Sequence, residues 1–187
     1  MRQLTVFNNI SLDGYFTDAR SDMSWAHRFD PEWTKFSASN AQGSDDGALL
    51  FGRKTYEMMA AYWPTPEAKK QMPEIAEGIN RLPKFVVSRS LDKADWNNTT
   101  ILKGDLETEV GKLKKGSGSR IVIMGSGTLV AQLAALRLID EYTLVIVPVV
   151  LGRGRTLFEG LDRKLGLKRT RERAFENGNV VATYVPE

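Results

Sequence analysis

The 187-residue chain contains no cysteine and only one histidine, His27. Without cysteine there is no disulfide, no thiolate nucleophile and no cysteine-ligated zinc, and one imidazole cannot build a multi-histidine metal site. A serine nucleophile would also have no choice of histidine partner. We therefore expect no metal, and if the protein is an enzyme, a bound cofactor has to supply the reactive group.

The chain also lacks a long apolar run and a strong net charge. No run approaches the ~20 residues that cross a bilayer, and the opening Met-Arg-Gln-Leu-Thr-Val continues into a strand pattern, unlike a signal peptide. We expect a cytoplasmic protein with no membrane partner. The net charge of +3 favours an anionic ligand only weakly. The basic stretches 112–120 and 163–173 lack the interleaved aromatics of a nucleic-acid groove, so we expect no nucleic-acid partner.

The most regular pattern lies in the second half of the chain. An apolar run at 121–124 meets the turn Gly125-Ser126-Gly127-Thr128, a helical pattern follows at 129–139, and a second apolar run occupies 142–151. This order predicts a βαβ unit with parallel strands covered on both faces. A helix that begins after a glycine turn presents free N–H groups to a phosphate, while a plain tight turn is an equal alternative. The third glycine of the Rossmann fingerprint would fall at Val130, so that motif is incomplete.

Two further apolar runs end in hydroxyls and cations. The run 48–51 leads to Gly52-Arg53-Lys54-Thr55, and the run 85–87 leads to Ser88 and Arg89. Cations at a helix N-terminus oppose the helix dipole, so helix stability does not account for them, whereas a bound phosphate does. Because the carboxyl ends of parallel strands share one edge of a sheet, the residues that follow these strands would lie close together. An extended anion such as a dinucleotide fits that arrangement better than a lone phosphate.

Polar residues after the first predicted strand, 3–10, suggest a substrate site. Asn9 and Asp13 stand where open α/β sheets bind ligands, although Asp13 followed by glycine is equally a common turn. Asp30 precedes a proline and would cap a helix. Alternatively, the Asp30 carboxyl group is held beside aromatic rings such as Trp25 and relays a proton. Glu32 is the second candidate for this proton relay.

The remaining patterns are weaker. They predict a helix near 67–80, a short strand at 96–102, a helix at 105–115, and strands at 165–170 and 180–185. The segment 15–24 has a loop composition. Asn177-Gly178 between the last two strands is a strong hairpin signal, so the sheet is expected to end antiparallel.

Five motifs then occur in a characteristic order. They are Ser11-Leu12-Asp13-Gly14, Gly52-Arg53-Lys54-Thr55-Tyr56, Val87-Ser88-Arg89, Gly125-Ser126-Gly127 with Leu138-Ile139-Asp140-Glu141, and the segment 148–152. Together they resemble the bacterial bifunctional deaminase-reductase C-terminal domain family, the riboflavin-pathway reductases. The resemblance implies a single dihydrofolate-reductase-like domain over 1–187. Its α/β architecture would have three α/β/α layers and a mostly parallel central sheet with an antiparallel C-terminal hairpin.

The resemblance also implies NADPH as the cofactor and a homodimer, with the apolar run through Pro148 as a possible interface. The cofactor-binding residues would be Gly52, Arg53, Lys54 and Thr55 for the pyrophosphate and ribose phosphate, Ser88 and Arg89 for the adenosine side, and Gly125, Ser126, Gly127 and Thr128 for the pyrophosphate. Trp25 and Asp30 resemble the pocket tryptophan and the acidic proton relay of dihydrofolate reductase.

Two features depart from the riboflavin-pathway enzyme. Met124 stands where that enzyme usually has glutamate, and the chain has no Asp-x-Pro-x-Leu stretch for a substrate phosphate. We therefore predict an NADPH-dependent reductase that transfers hydride to a pyrimidine- or pterin-like substrate bound near Asn9, Asp13 and Trp25. It would be similar to 5-amino-6-(5-phosphoribosylamino)uracil reductase, but these departures leave its exact substrate open. The alternative is a non-catalytic nucleotide-binding regulatory module.

Overall fold

The fold is built on one large mixed sheet, seen in a computed structural model that describes residues 1–28, 30–42 and 47–187. The strands are β1 (Gln3–Ser11), β2 (Tyr15–Asp18), β3 (Ala48–Gly52), β4 (Lys84–Val87), β5 (Thr99–Leu102), β6 (Arg120–Met124), β7 (Glu141–Val147), β8 (Gly154–Thr156), β9 (Leu167–Ala174) and β10 (Val180–Pro186). The helices are α1 (Pro31–Gln42), α2 (Arg53–Tyr62), α3 (Pro66–Gln71), α4 (Pro73–Arg81), α5 (Leu106–Lys115) and α6 (Gly127–Ala135). A short 3-10 helix, Ser24–Ala26, precedes α1.

Eight strands form the sheet in the order β5-β4-β3-β6-β1-β7-β10-β9. The first six are parallel, and β10 runs antiparallel to both β7 and β9. Gly178 adopts a φ of 86° in the turn between β9 and β10, a left-handed conformation that favours glycine. The expected parallel sheet with an antiparallel C-terminal hairpin is confirmed.

The predicted βαβ unit is β6-α6-β7, and β1 lies between its two strands, pairing with each in parallel. The helix ends at Ala135, earlier than the sequence pattern predicts, and Arg137 beyond it has a φ of 53°. Strand β7 stops at Val147 because Pro148 has no N–H group to continue the ladder. The loop 148–153 is therefore free to cross the carboxyl edge of the sheet.

Helices cover both faces of the sheet. On one face α5 and α6 bury Val110, Val130 and Leu133 completely. On the other face α1, α2 and α4 pack against alternate strand residues, with Tyr56 and Ile79 buried beneath them. This is the expected three-layer α/β/α arrangement. Within the described ranges, none of the helices has the length and apolar character needed to cross a bilayer.

Three sequence expectations about elements were wrong. The segment 15–24 contains β2, which pairs antiparallel with β8 in a separate two-stranded sheet. The helix predicted at 67–80 is divided into α3 and α4, because Met72 stands before a proline and takes φ −138° and ψ 64°. The strand predicted at 165–170 runs instead from Leu167 to Ala174, paired along its length with β10.

Candidate functional site

The predicted cofactor residues gather at the carboxyl edge of the parallel strands. Strand β3 opens into α2 at Gly52, and its neighbour β6 opens into α6 through Gly125 and Ser126. Strand β4, on the other side of β3, ends just before Ser88 and Arg89. The segments that follow β3, β4 and β6 therefore lie at one edge of the sheet, and the two glycine turns are side by side.

Hydrogen bonds join the two glycine turns directly. The Ser126 N–H donates to Thr55 Oγ1 at 3.0 Å, and the Gly52 N–H donates to Ser126 Oγ at 3.0 Å. Asn8 fixes the same turn from β1: its Nδ2 donates to the Gly125 carbonyl at 3.0 Å, and its Oδ1 accepts from the Gly125 N–H at 2.6 Å. The hydroxyls of Thr55 and Ser126 thus hold the backbone, and the first-turn N–H groups of α2 and α6, which have no partner inside their helices, lie close together.

Gly125 and Gly127 are both required by the geometry of this turn. Gly125 has a φ of 56°, and a Cβ atom there would lie 2.9 Å from Thr55 Cγ2. A Cβ atom on Gly127 would lie 2.5 Å from the ring of Phe16, which belongs to β2. The turn is therefore packed between α2 on one side and the β2–β8 sheet on the other.

Cations stand at both helix N-termini. Arg53 and Lys54 are exposed in the first turn of α2, and Glu57 lies 3.9 Å from the Arg53 guanidinium. Arg155 of β8 donates to Thr128 Oγ1 at 3.0 Å, so it lies at the N-terminus of α6. Its position repeats the unfavourable placement of a cation at the positive end of a helix dipole. Sequence reasoning missed Arg155, since the pairing of β2 with β8 that brings it there leaves no local signal.

Ser88 and Arg89 lie on the outer side of this group. Ser88 is buried, and its Oγ accepts hydrogen bonds from the N–H groups of Ser90 and Leu91, so the hydroxyl shapes the turn. Arg89 is exposed. Thr108 hydrogen bonds, and to a lesser extent the Arg89 charge, lower the pKa of Asp105 at the start of α5. The adenosine-side role of both residues stays a prediction.

The predicted substrate residues have different surroundings. Asn9 Oδ1 is buried and has no hydrogen-bond partner within the described residues, and its contact with substrate stays a prediction. The Trp25 ring packs in an apolar cluster with Val145 and Val147, and its Nε1 donates to the Asp22 carbonyl at 3.1 Å.

Asp13 has its acceptor positions occupied by the chain. Its carboxylate accepts from Ser11 Oγ at 2.6 Å and from the N–H groups of Leu151 and Gly152, the latter at 2.7 Å. The Ser11 hydroxyl, followed by these backbone donors, lowers the pKa of Asp13. These contacts favour the turn alternative, because Asp13 ties the loop after β1 to the loop after β7. Its contact with substrate stays a prediction.

Asp30 caps the N-terminus of α1, as the helix-cap interpretation predicts. Its Oδ1 accepts from the Trp33 N–H at 2.6 Å, and its carbonyl accepts from the Thr34 N–H at 2.8 Å. Glu32 forms an ion pair with Arg173 of β9, and both side chains are about half exposed. The proton-relay roles of Asp30 and Glu32 stay predictions. No group of three or more His, Asp or Glu side chains could hold a metal in the part of the chain that the structure describes.

A cavity of about 440 Å³ lies between the sheet and the α1–α4 layer. At its carboxyl-edge end it is lined by Phe7 and Met124, and Met124 directly precedes the Gly125 turn. Its volume is in the range of small-molecule sites. The sequence analysis missed this cavity because its lining comes from strands and helices far apart in the chain. The phosphate-type turns and the cavity meet at Met124.

The sequence and fold of this chain have counterparts among known proteins. Residues 2–181 match the family model described as the RibD C-terminal domain. The chain belongs to this family. A relative in Bacillus subtilis (strain 168), the uncharacterized protein YyaP, is 30% identical over 177 residues, which cover 94% of this chain and 90% of that protein.

Solved structures with the same fold cover almost the whole chain. A putative riboflavin biosynthesis protein from Shewanella sp. PV-4 superposes with a TM-score of 0.78 and 23% identity, over 99% of each chain. Dihydrofolate reductase from Enterococcus faecalis, complexed with NADP(H), superposes with a TM-score of 0.64 and 16% identity, over 99% of this chain and 96% of that one. Both the family resemblance and the dihydrofolate-reductase-like fold are confirmed.

Proposed function

We propose that this RibD C-terminal domain is an NADPH-dependent oxidoreductase that reduces a small pyrimidine- or pterin-like molecule. One observation carries the proposal: two helix N-termini are joined by hydrogen bonds of Thr55 and Ser126, and Met124, directly before the Gly125 turn, lines a cavity of ligand size. Such a pair of N-termini suits a pyrophosphate. The NADP(H) complex of the Enterococcus faecalis reductase, a protein of the same fold, supports this choice of cofactor.

The residues at the carboxyl edge fit a dinucleotide. The free N–H groups at the start of α2 and α6 would hold the pyrophosphate, and Arg53 and Lys54 would bind the additional ribose phosphate that distinguishes NADPH from NADH. NADPH, when bound, supplies the hydride for the reduction.

The chain's own residues would orient the substrate and deliver the proton. Asn9 Oδ1 offers a buried acceptor to an N–H group of a heterocycle. Phe7 and Met124 form an apolar surface at the cavity end nearest the turn and keep water from the reacting atoms. Reduction of a C=N or C=O bond consumes one hydride and one proton, and we assign the proton to the carboxyl group of Asp30, which lies at the start of α1.

The proposal is tested by titrating the protein with NADPH and NADH while following nicotinamide fluorescence. We expect NADPH to bind more tightly than NADH, and Arg53→Ala to weaken NADPH at least about 10-fold, a loss of ~1.4 kcal/mol. Arg163→Ala, which removes an exposed cation from the 159–166 loop, is the matched control. Failure of both nucleotides to bind would refute the proposal.

A second measurement separates a reductase from the regulatory alternative. With NADPH bound, nicotinamide absorbance is followed during incubation with dihydropterins and with aminopyrimidine nucleotides. Oxidation of NADPH that falls at least about 100-fold in Asp30→Asn would support a general acid at that position. Tight NADPH binding without oxidation by any of these compounds would instead favour a non-catalytic nucleotide-binding module.

A further inference from the structure

The cavity continues well beyond the end that faces the proposed cofactor site. Along β6, Arg120, Val122 and Met124 line it, while Ile121 and Ile123 between them are buried on the opposite face of the sheet. At ~3.3 Å per strand residue, Met124 and Arg120 are about 13 Å apart. The cavity therefore has one end at the carboxyl edge of the sheet and a second end at its amino edge.

The middle of the cavity is apolar. Its walls come from the sheet, from α1 and α4, and from the segment after α2, and they include Leu49, Val122, Phe36, Ile79 and Trp63. Aromatic and branched aliphatic walls of this kind favour a flat hydrocarbon or aromatic body. Such a body would fill the middle and leave both ends of a ligand to make polar contacts.

On the side formed by β1, β7 and β10 the cavity has a polar wall, whose hydroxyls lie level with Phe7 and with Val122 in the strand register. Thr143 of β7 and Thr183 of β10 are hydrogen-bonded to each other, with their Oγ1 atoms 3.2 Å apart. Thr5 of β1 adds a third hydroxyl to the lining, and Glu141 lies beside it at the start of β7.

The other charged side chains that line the cavity are paired. Arg171 forms an ion pair with Glu141 at 2.8 Å, and Arg173 forms one with Glu32. Glu172 is paired with Arg169. The Arg120 guanidinium, which is only partly exposed, has no ion pair or side-chain hydrogen bond within the described residues. The amino-edge end of the cavity therefore presents a guanidinium that can bind an anion.

We propose that the substrate is elongated, with an apolar or aromatic middle and a singly charged anionic end, such as a carboxylate, that binds Arg120. One free guanidinium matches one carboxylate, which it can bind through two parallel hydrogen bonds. The reducible group would then lie about 13 Å away at Met124, so this part of the inference depends on the proposed function. The anion site and the apolar middle do not depend on it.

The anion site is tested with two fluorescent probes that share their rings and differ in charge, 8-anilinonaphthalene-1-sulfonate and neutral N-phenyl-1-naphthylamine. We expect wild-type protein to bind the sulfonate at least about 10-fold more tightly than the neutral probe. Arg120→Gln should remove that preference and leave the neutral probe unchanged, whereas Arg120→Lys should keep part of it. Arg163→Gln, at an exposed arginine outside the cavity lining, is the control and should retain the wild-type preference.

A cavity-filling variant tests the location. Val122→Trp should weaken both probes at least about 10-fold, because the larger ring would occupy the middle of the cavity. Circular dichroism confirms that each variant is folded. An unchanged sulfonate preference in Arg120→Gln, or equal binding of both probes to wild-type protein, would overturn the inference. Since no nucleotide is added, these outcomes are independent of whether NADPH binds.

Discussion

The hydrogen bond between Thr55 and Ser126 should control cofactor affinity, although the side chains of the two residues do not contact the cofactor. Thr55→Val keeps the shape of the side chain but removes the acceptor of the Ser126 N–H, which the structure places at 3.0 Å. Ser126 is buried and has a φ of 58°, an uncommon conformation for a residue other than glycine. Leaving a buried N–H unpaired costs ~1–3 kcal/mol. If that cost falls on the cofactor-binding conformation, NADPH affinity drops about 5- to 150-fold.

The assay is NADPH titration by nicotinamide fluorescence, combined with urea unfolding of the free protein. Thr100→Val is the matched control, because Thr100 is exposed on β5, away from both turns. The two measurements separate a local effect on the turn from a general loss of stability. The reasoning fails if Thr55→Val binds NADPH within twofold of wild type while its unfolding free energy matches that of the control.

Three further predictions concern other parts of the chain. Burial lowers the pKa of Lys84 to about 8. Between pH 8 and 10.5 the unfolded chain then binds more protons than the folded protein, so the free energy of unfolding should rise with pH across that window, by about 3 kcal/mol at most. Urea unfolding at several pH values measures this rise, and the free energy of unfolding of Lys84→Met should depend less on pH. Arg155→Ala should weaken NADPH binding by about 3- to 10-fold in the same titration, while Arg153→Ala, at an exposed arginine two residues earlier, should leave it unchanged; equal effects would contradict a specific role. We also propose a homodimer through the loops after β1 and β7, where Leu12 and Val150 are 66% and 67% exposed. Light scattering should then give twice the chain mass for wild type and the monomer mass for Val150→Asp, and a monomeric wild type would refute it.

Local patterns in the sequence were sufficient for the main elements of the fold. The continuous apolar runs of β3, β6 and β7 and the Asn177-Gly178 turn each carry their information in adjacent residues, so the parallel sheet and its terminal hairpin could be predicted. The same holds for the glycine turns at the carboxyl edge. A single backbone restriction, that before Pro73, was present in the sequence but was overlooked within a helical pattern.

The details of the site depend on contacts between distant residues. Asn8 reaches Gly125 across 117 positions, and Arg155 reaches Thr128 only because β8 pairs with β2. The cavity is assembled from strands whose order, β6-β1-β7, differs from their order in the sequence. A one-dimensional pattern records which residues are apolar but not which of them meet, so Arg120 and the cavity could be recognised only in three dimensions.

The position of Asp13 has a mechanical consequence for the small β2–β8 sheet. One segment of the chain enters β2 from the end of β1, and another enters β8 from the end of β7, and the Asp13 carboxylate joins the two segments through Leu151 and Gly152. The Asp13 bonds and the β2–β8 pairing couple the two strands at both their bases and their edges, so we expect any displacement of one strand to be shared by the other. Because Phe16 of β2 packs over Gly127, such a displacement would also change the surroundings of the α6 N-terminus.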